Sequence, residues 1–213
     1  MDLARLVRLR KCSQFYNMIQ SQQDYKKYLL EDKVALGISQ SNYKSKLKNI
    51  ILPNYISRFE RLLRKCEYYK NCKKSVFGKI YFIYIYRKYY KISKNLGFSI
   101  PLNVFGPGLA IVHYGTIVVN ANAKVGANCR IHPSTCIGAS GGNSLAPQIG
   151  DNCYIAPGVK IYGNIILANN IATAANAAVN KSFFEENILI GGIPAIKIKN
   201  IDISNIIKSV NNQ

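Results

Sequence analysis

The chain has 213 residues, enough for one large domain or two small ones, and its 48% hydrophobic content allows a buried core. Its net charge of +19 is uneven: residues 1–100 hold 22 Lys/Arg against 6 Asp/Glu, and residues 101–213 hold 7 against 4. Its 6 cysteines show no CxxC spacing, which speaks against a zinc ribbon or a disulfide framework and fits a reducing compartment.

In chain order, Met1–Lys11 is charged and lacks an apolar centre, so no signal peptide is expected there. Leu3, Leu6, Val7 and Leu9 predict a short amphipathic helix, and Asp24–Asp32 a second. Pro53 opens a third, because Ile56, Phe59, Leu62 and Leu63 recur at helical spacing. Tyr81–Lys94 mixes aromatic density with Arg87, Lys88 and Lys91, and reads as a helix with one buried face. The apolar run Ile80–Tyr86 is too short to span a bilayer, so a cytoplasmic location is expected. The excess of cations points to an anionic glycan, a peripheral contact at the inner membrane face, or a solvated surface. No nucleic-acid motif accompanies the Lys/Tyr stretch, and no nucleic-acid partner is expected.

Pro101, Gly106, Pro107 and Gly108 punctuate a boundary, after which a six-residue beat sets in. Aliphatic residues recur at Val119, Val125, Ile131, Ile137, Ile149, Ile155, Ile161, Leu167 and Val179, broken only at Asn143 and Thr173. Three residues after most beat positions stands Asn122, Asn128, Ser134, Asn152, Gly158, Asn164, Asn170, Asn176 or Ser182. Gly and Asn enter left-handed backbone conformations at least cost, so each hexad reads as a short strand and a corner. A period of six is the mark of a parallel β-helix, three hexads making an 18-residue coil. Cys129 and Cys153 fall on inward positions of this count. Residues 138–148, GASGGNSLAPQ, miss the beat and are expected to leave the prism as a loop. The expected organisation is a basic α-helical domain over 1–98, a mainly β domain over 99–200 and a C-terminal cap over 201–213.

The runs Asn103–Leu109 and His113-Tyr114-Gly115-Thr116-Ile117-Val118-Val119-Asn120, the stretch from Ile149 to Gly163 and the turn Gly192-Ile193-Pro194-Ala195 resemble the serine acetyltransferase family. The resemblance covers about residues 98–200 and looks closest to serine-acetyltransferase-like enzymes of bacterial surface-polysaccharide clusters. It implies a left-handed parallel β-helix, acetyl-CoA as co-substrate, an O-acetyltransferase activity and no metal. It also implies a homotrimer or a dimer of trimers, with each active site between two prisms.

An alcohol is a poor nucleophile until a base takes its proton, and neutral imidazole can do so near pH 7. His113 matches the family's general base. His132 follows it by 19 residues, one coil plus one position, and can bind acceptor or orient a group in the site. Gly138 and Ala139 are placed to donate N–H bonds to the thioester oxygen. Ala156, Pro157, Ala174 and Ala175 offer either smooth prism edges for pantetheine or plain corner packing. Lys181, Lys197 and Lys199 are candidates for the CoA phosphates. Two positions depart from the family: Val112 replaces the Asp before the base, and Ala146 replaces the His before the loop's Pro. The tail Val210-Asn211-Asn212-Gln213 also lacks the terminal Ile of the classical enzymes. These departures favour a glycan hydroxyl as acceptor, with L-serine the alternative and a non-catalytic scaffold the third reading.

Overall fold

The computed structural model describes residues 18–38, 54–142 and 144–207. The expected helix at Leu3–Leu9, the residues Pro53 and Asn143, and Lys208 onward lie outside them. Among the described residues three helices precede the strands: α1 (Gln22–Ala35), α2 (Tyr55–Cys72) and α3 (Val76–Leu96). Each opens on a side-chain cap, with Ser21, Asn54 and Ser75 accepting from Asp24 N–H, Ser57 N–H and Gly78 N–H. Asn54 does the capping of α2. The Tyr81–Lys94 stretch is helical, and α3 ends at Gly97, whose φ of 80° turns the chain.

Fourteen short strands follow: β1 (Phe98–Ser99), β2 (Ala110–Ile111), β3 (Ile117–Val119), β4 (Lys124–Val125), β5 (Arg130–Ile131), β6 (Thr135–Gly138), β7 (Gln148–Ile149), β8 (Tyr154–Ile155), β9 (Lys160–Tyr162), β10 (Ile166–Leu167), β11 (Ile171–Thr173), β12 (Ala178–Val179), β13 (Ile188–Gly192) and β14 (Ala195–Asn200). They form three sheets, ordered β1-β3-β6-β9-β12, β10-β7-β4 and β14-β13-β11-β8-β5-β2. From β2 to β12 the chain visits the third, first and second sheets in strict rotation. All pairings are parallel except the closing hairpin β13–β14. A chain that returns to the same sheet once per circuit is coiling around an interior.

The register measures the coil. Ile117 lies beside Thr135 and Ile166 beside Gln148, 18 residues apart. Across the 139–147 loop the step is 24, as in Ile137 beside Ile161 and Ile131 beside Ile155. The loop thus adds six residues, the length of one hexad, to that coil, and the beat resumes at Ile149. Every aliphatic beat residue from Val119 to Val179 is buried. The beat's other miss, Thr173, is buried too, and its hydroxyl accepts from Ala156 N–H at 2.9 Å. Cys129 and Cys153 are buried as expected.

The corners are left-handed at Asn128, Ser134, Asn152, Asn170 and Asn176, with φ of 54–62°, and at Gly158. A Cβ on Gly158 would stand 1.9 Å from Asn176 Oδ1, so a larger residue there would have to displace the Asn176 side chain and bear the positive φ. Contrary to the repeat count, Asn122, Asn164 and Ser182 do not take positive φ. At Asn122 the side chain serves the loop, donating to the Ser144 carbonyl. An amide ladder runs along one edge, Asn128 donating to Asn152 and Asn152 to Asn170 at 2.9 and 3.0 Å.

The helices close the first coil with charged side chains. Glu60 accepts from Ile111 N–H, Asp32 from Leu109 N–H and Glu67 from Asn103 N–H. Arg64 donates to Asp32, Glu67 and the carbonyls of Phe105 and Gly106. All four charged residues are buried. A 3-10 turn, Ile203–Asn205, lies along the outside of the third sheet and packs Ile203 and Ile207 on Ala172, with Ile207 reaching back toward Ala35 of α1.

Candidate functional site

One edge of the prism, where the third sheet turns into the first, collects most of the candidate residues. Val112 N–H donates to Ile131 O, His132 N–H to Ile155 O and Ala174 N–H to Ile190 O. These bonds stack Val112, His132, Ala156, Ala174 and Gly191 in one column. His113, Pro133, Pro157, Ala175 and Gly192 follow one step along. The parallel ladder therefore sets each candidate on a rigid corner, layer above layer.

His113 is exposed, although an inward beat count would bury it. The chain around Gly106–Gly115 joins the coil out of hexad phase: Ala110 pairs with Arg130, a step of 20 rather than 18. That slip turns His113 outward. Its ring lies 6.4 Å from that of His132, centroid to centroid. His132 is half-buried, with its ring edge-on to Tyr154 at 5.1 Å. Its Nε2 is buried and has no hydrogen-bond partner. Burial chiefly, then the charge of Arg130 and the neighbouring His113, hold its pKa below the ordinary histidine value. His132 is accordingly an uncharged imidazole near neutral pH, able to receive or give one hydrogen bond to a guest.

Beside this pair opens a cleft of about 430 Å³, between the third sheet and the end of α1. Arg130, His132 and Tyr154 line its floor, Ala35–Gly37 one wall and Asn205 the other. Arg130 and His132 are two residues apart on one extended segment, so both leave the sheet on the same face. Tyr154 is the direct neighbour of Arg130 on the next strand. Neither Arg130 nor Tyr154 stands out in the sequence. The signal was present for both: alternation links 130 to 132, and a step of 24 links 130 to 154 once the loop is counted out.

The remaining candidates lie elsewhere. Gly138 ends β6 and Ala139 follows it at the opposite border of the first sheet, where the loop leaves. A Cβ on Gly138 would meet only Cys136 Sγ, at 3.9 Å, so the space over it is open. Ala156 is buried, Ala174 half-buried, and Pro157 and Ala175 are exposed. Lys181 is exposed with its ammonium 5.6 Å from the Phe183 ring centre. Lys197 is paired with Glu185, and Lys199 is exposed on the same strand β14. Among the described residues no carboxylate hydrogen-bonds to His113 or His132. Val112 and Ala146 are apolar where the resemblance implied polar side chains, and Ala146 is buried.

A parallel β-helix of 18-residue coils under a helical cap defines a hexapeptide-repeat protein, and comparison with known proteins narrows this. No protein-family model matches the chain. In sequence it is similar to serine acetyltransferases of Staphylococcus aureus, 32% identical over 96 residues, covering 44% of this chain and 45% of the relative. A Staphylococcus epidermidis serine acetyltransferase gives 33% over the same length. The match thus spans about half the length of these curated relatives. In structure it is similar to a Brucella abortus serine acetyltransferase, with TM-score 0.63, 23% identity, and 90% of this chain and 75% of that one covered. The same Brucella enzyme solved with coenzyme A gives TM-score 0.62, at 22% identity and over 89% and 74% of the two chains. Over 96 residues the chain is thus similar in sequence to serine acetyltransferases, and it shares the fold of the solved enzymes.

Proposed function

We propose that this chain is an acetyl-CoA-dependent O-acetyltransferase built on a left-handed parallel β-helix, with His113 as general base. The observation that carries the reading is the His113–His132 pair on a rigid corner beside a cationic cleft, in a chain similar in sequence to serine acetyltransferases. His113 takes the acceptor's hydroxyl proton as the oxygen attacks the thioester carbonyl. The C–S bond then breaks, and the proton passes from the imidazolium to the departing thiolate. In this reading the N–H groups at Gly138 and Ala139 face the developing oxyanion. Pantetheine lies along Ala156, Pro157, Ala174 and Ala175, and Lys181, Lys197 and Lys199 face the CoA phosphates. Lys197 must leave Glu185 to take part.

Within one chain the His113 edge and the Gly138 edge are opposite borders of the first sheet. A homotrimer would bring the loop edge of one prism to the histidine edge of the next and complete the site. L-serine is the acceptor that the comparisons favour. A solved serine acetyltransferase of Neisseria gonorrhoeae, 20% identical with TM-score 0.59, was obtained in complex with serine. Arg130 supplies the cation that a serine carboxylate needs and that the 138–148 loop does not offer. A glycan hydroxyl stays as the second reading, because Val112 and Ala146 remove two polar positions that the serine enzymes use. The test is CoA release from acetyl-CoA with L-serine, D-glucuronate and glucose. Turnover on L-serine supports the first reading, and turnover on a sugar alone supports the second. Failure to bind acetyl-CoA at all overturns both.

A further inference from the structure

Helix α3 has two faces of different character. Gly78, Ile85, Tyr89 and Ser93 are buried on one side. The other side is open: Val76, Phe77, Ile80, Ile83 and Tyr84 are 70%, 85%, 60%, 60% and 52% exposed. Steps of three and four residues place them in one stripe. Tyr90, also exposed, borders it toward the C-terminal half. Lys79, Arg87, Lys88, Lys91 and Lys94 are exposed among them, after Lys73 and Lys74 on the preceding turn. The helix contains no Asp or Glu, and among the described residues no acid pairs with these cations.

A contiguous stripe of this kind marks a docking surface. A second copy of the same face would set these cations against their equals with no acid between them, an arrangement that like charges oppose. An acidic polymer would meet the cations and leave Phe77 and Ile80 in water. An anionic bilayer surface satisfies both sets: apolar side chains enter the headgroup–acyl boundary and Lys/Arg meet lipid phosphates. Among the described residues no helix is long and apolar enough to cross a membrane, so α3 would lie along the surface.

We propose that α3 docks this protein on an anionic lipid surface, with Val76, Phe77, Ile80, Ile83 and Tyr84 inserted and Lys79, Arg87, Lys88, Lys91 and Lys94 on the headgroups. The proposal stands apart from the acetyl-transfer reading. Its test is flotation of the full chain with phosphatidylcholine vesicles, with and without phosphatidylglycerol. Light scattering gives each sample's oligomeric mass, and circular dichroism its helix content. Wild type floats only with phosphatidylglycerol. F77S/I80S weakens binding about tenfold or more. K88Q/K91Q/K94Q weakens it about a hundredfold and flattens its salt dependence. Both variants keep wild-type mass and helix content, because the altered side chains face solvent. Absence of flotation, flotation indifferent to both variants, or a change of oligomeric mass in F77S/I80S would each overturn the proposal, the last by assigning the face to another subunit.

Discussion

The coils and the helical cap both have to satisfy backbone groups at the edge of a sheet, and they use opposite chemistry. Inside the coils each strand finds the next one 18 or 24 residues on, and the interior is aliphatic. Below the first coil no earlier strand stands among the described residues. Glu60, Asp32, Glu67 and Arg64 take its place, accepting from three N–H groups and donating to two carbonyls. The coil is thus redundant and tolerant, each layer repeating the last. The cap is singular, because four ionisable side chains in one place join three elements.

That contrast predicts a graded response to substitution. Arg64→Ala should do most damage, since it leaves Asp32 and Glu67 buried without their cation and frees the carbonyls of Phe105 and Gly106. Urea unfolding should show a loss of about 3–5 kcal/mol, and a loss below about 1 kcal/mol would remove the cap's special status. Ile161→Ala, in the middle of the coil interior, should cost about 3 kcal/mol by the same assay. Asn152→Ala should cost about 1–2 kcal/mol, because it strains a left-handed corner and breaks the amide ladder on both sides. Asn152→Gly should cost less, since glycine keeps the corner and loses only the ladder.

The smallest effect is a pH dependence confined to the cap. Burial first, and then the nearby Asp32, hold the Glu60 carboxyl well above the ordinary range, against the Ile111 N–H and Arg64. Its charge is therefore disfavoured in the folded state. The stability it contributes is fully present below the unfolded value of about 4.5 and is lost as pH rises through the folded one. Glu60→Gln keeps an oxygen for Ile111 N–H and cannot ionise. Its stability should fall less than that of wild type between pH 5 and 8 in parallel urea titrations. Equal slopes would mean that Glu60 does not titrate there.

The sequence showed the repeating part because repetition writes itself at a fixed interval. The buried beat from Val119 to Val179 and the loop at 138–148 follow from one count. His113 is singled out by the motif around it, and its outward direction is hidden in the sequence by a phase slip at Gly106–Gly115. The cap was opaque for a physical reason. Glu60, Arg64 and Glu67 sit four and three residues apart on α2, a spacing that in isolation reads as a solvated face. Only Asp32 from another helix and the bare edge of the first coil explain their burial. Arg130 and the Lys197–Glu185 pair were equally hidden, since each depends on a strand pairing across a loop or hairpin.

The most direct measurement of the central claim is steady-state CoA release from acetyl-CoA with L-serine, for wild type and His113→Ala, alongside calorimetric binding of CoA to both. A general-base role predicts that kcat falls about 10²–10⁴-fold, while CoA binding stays as in wild type. Turnover on L-serine that survives in His113→Ala with an unchanged kcat would contradict it.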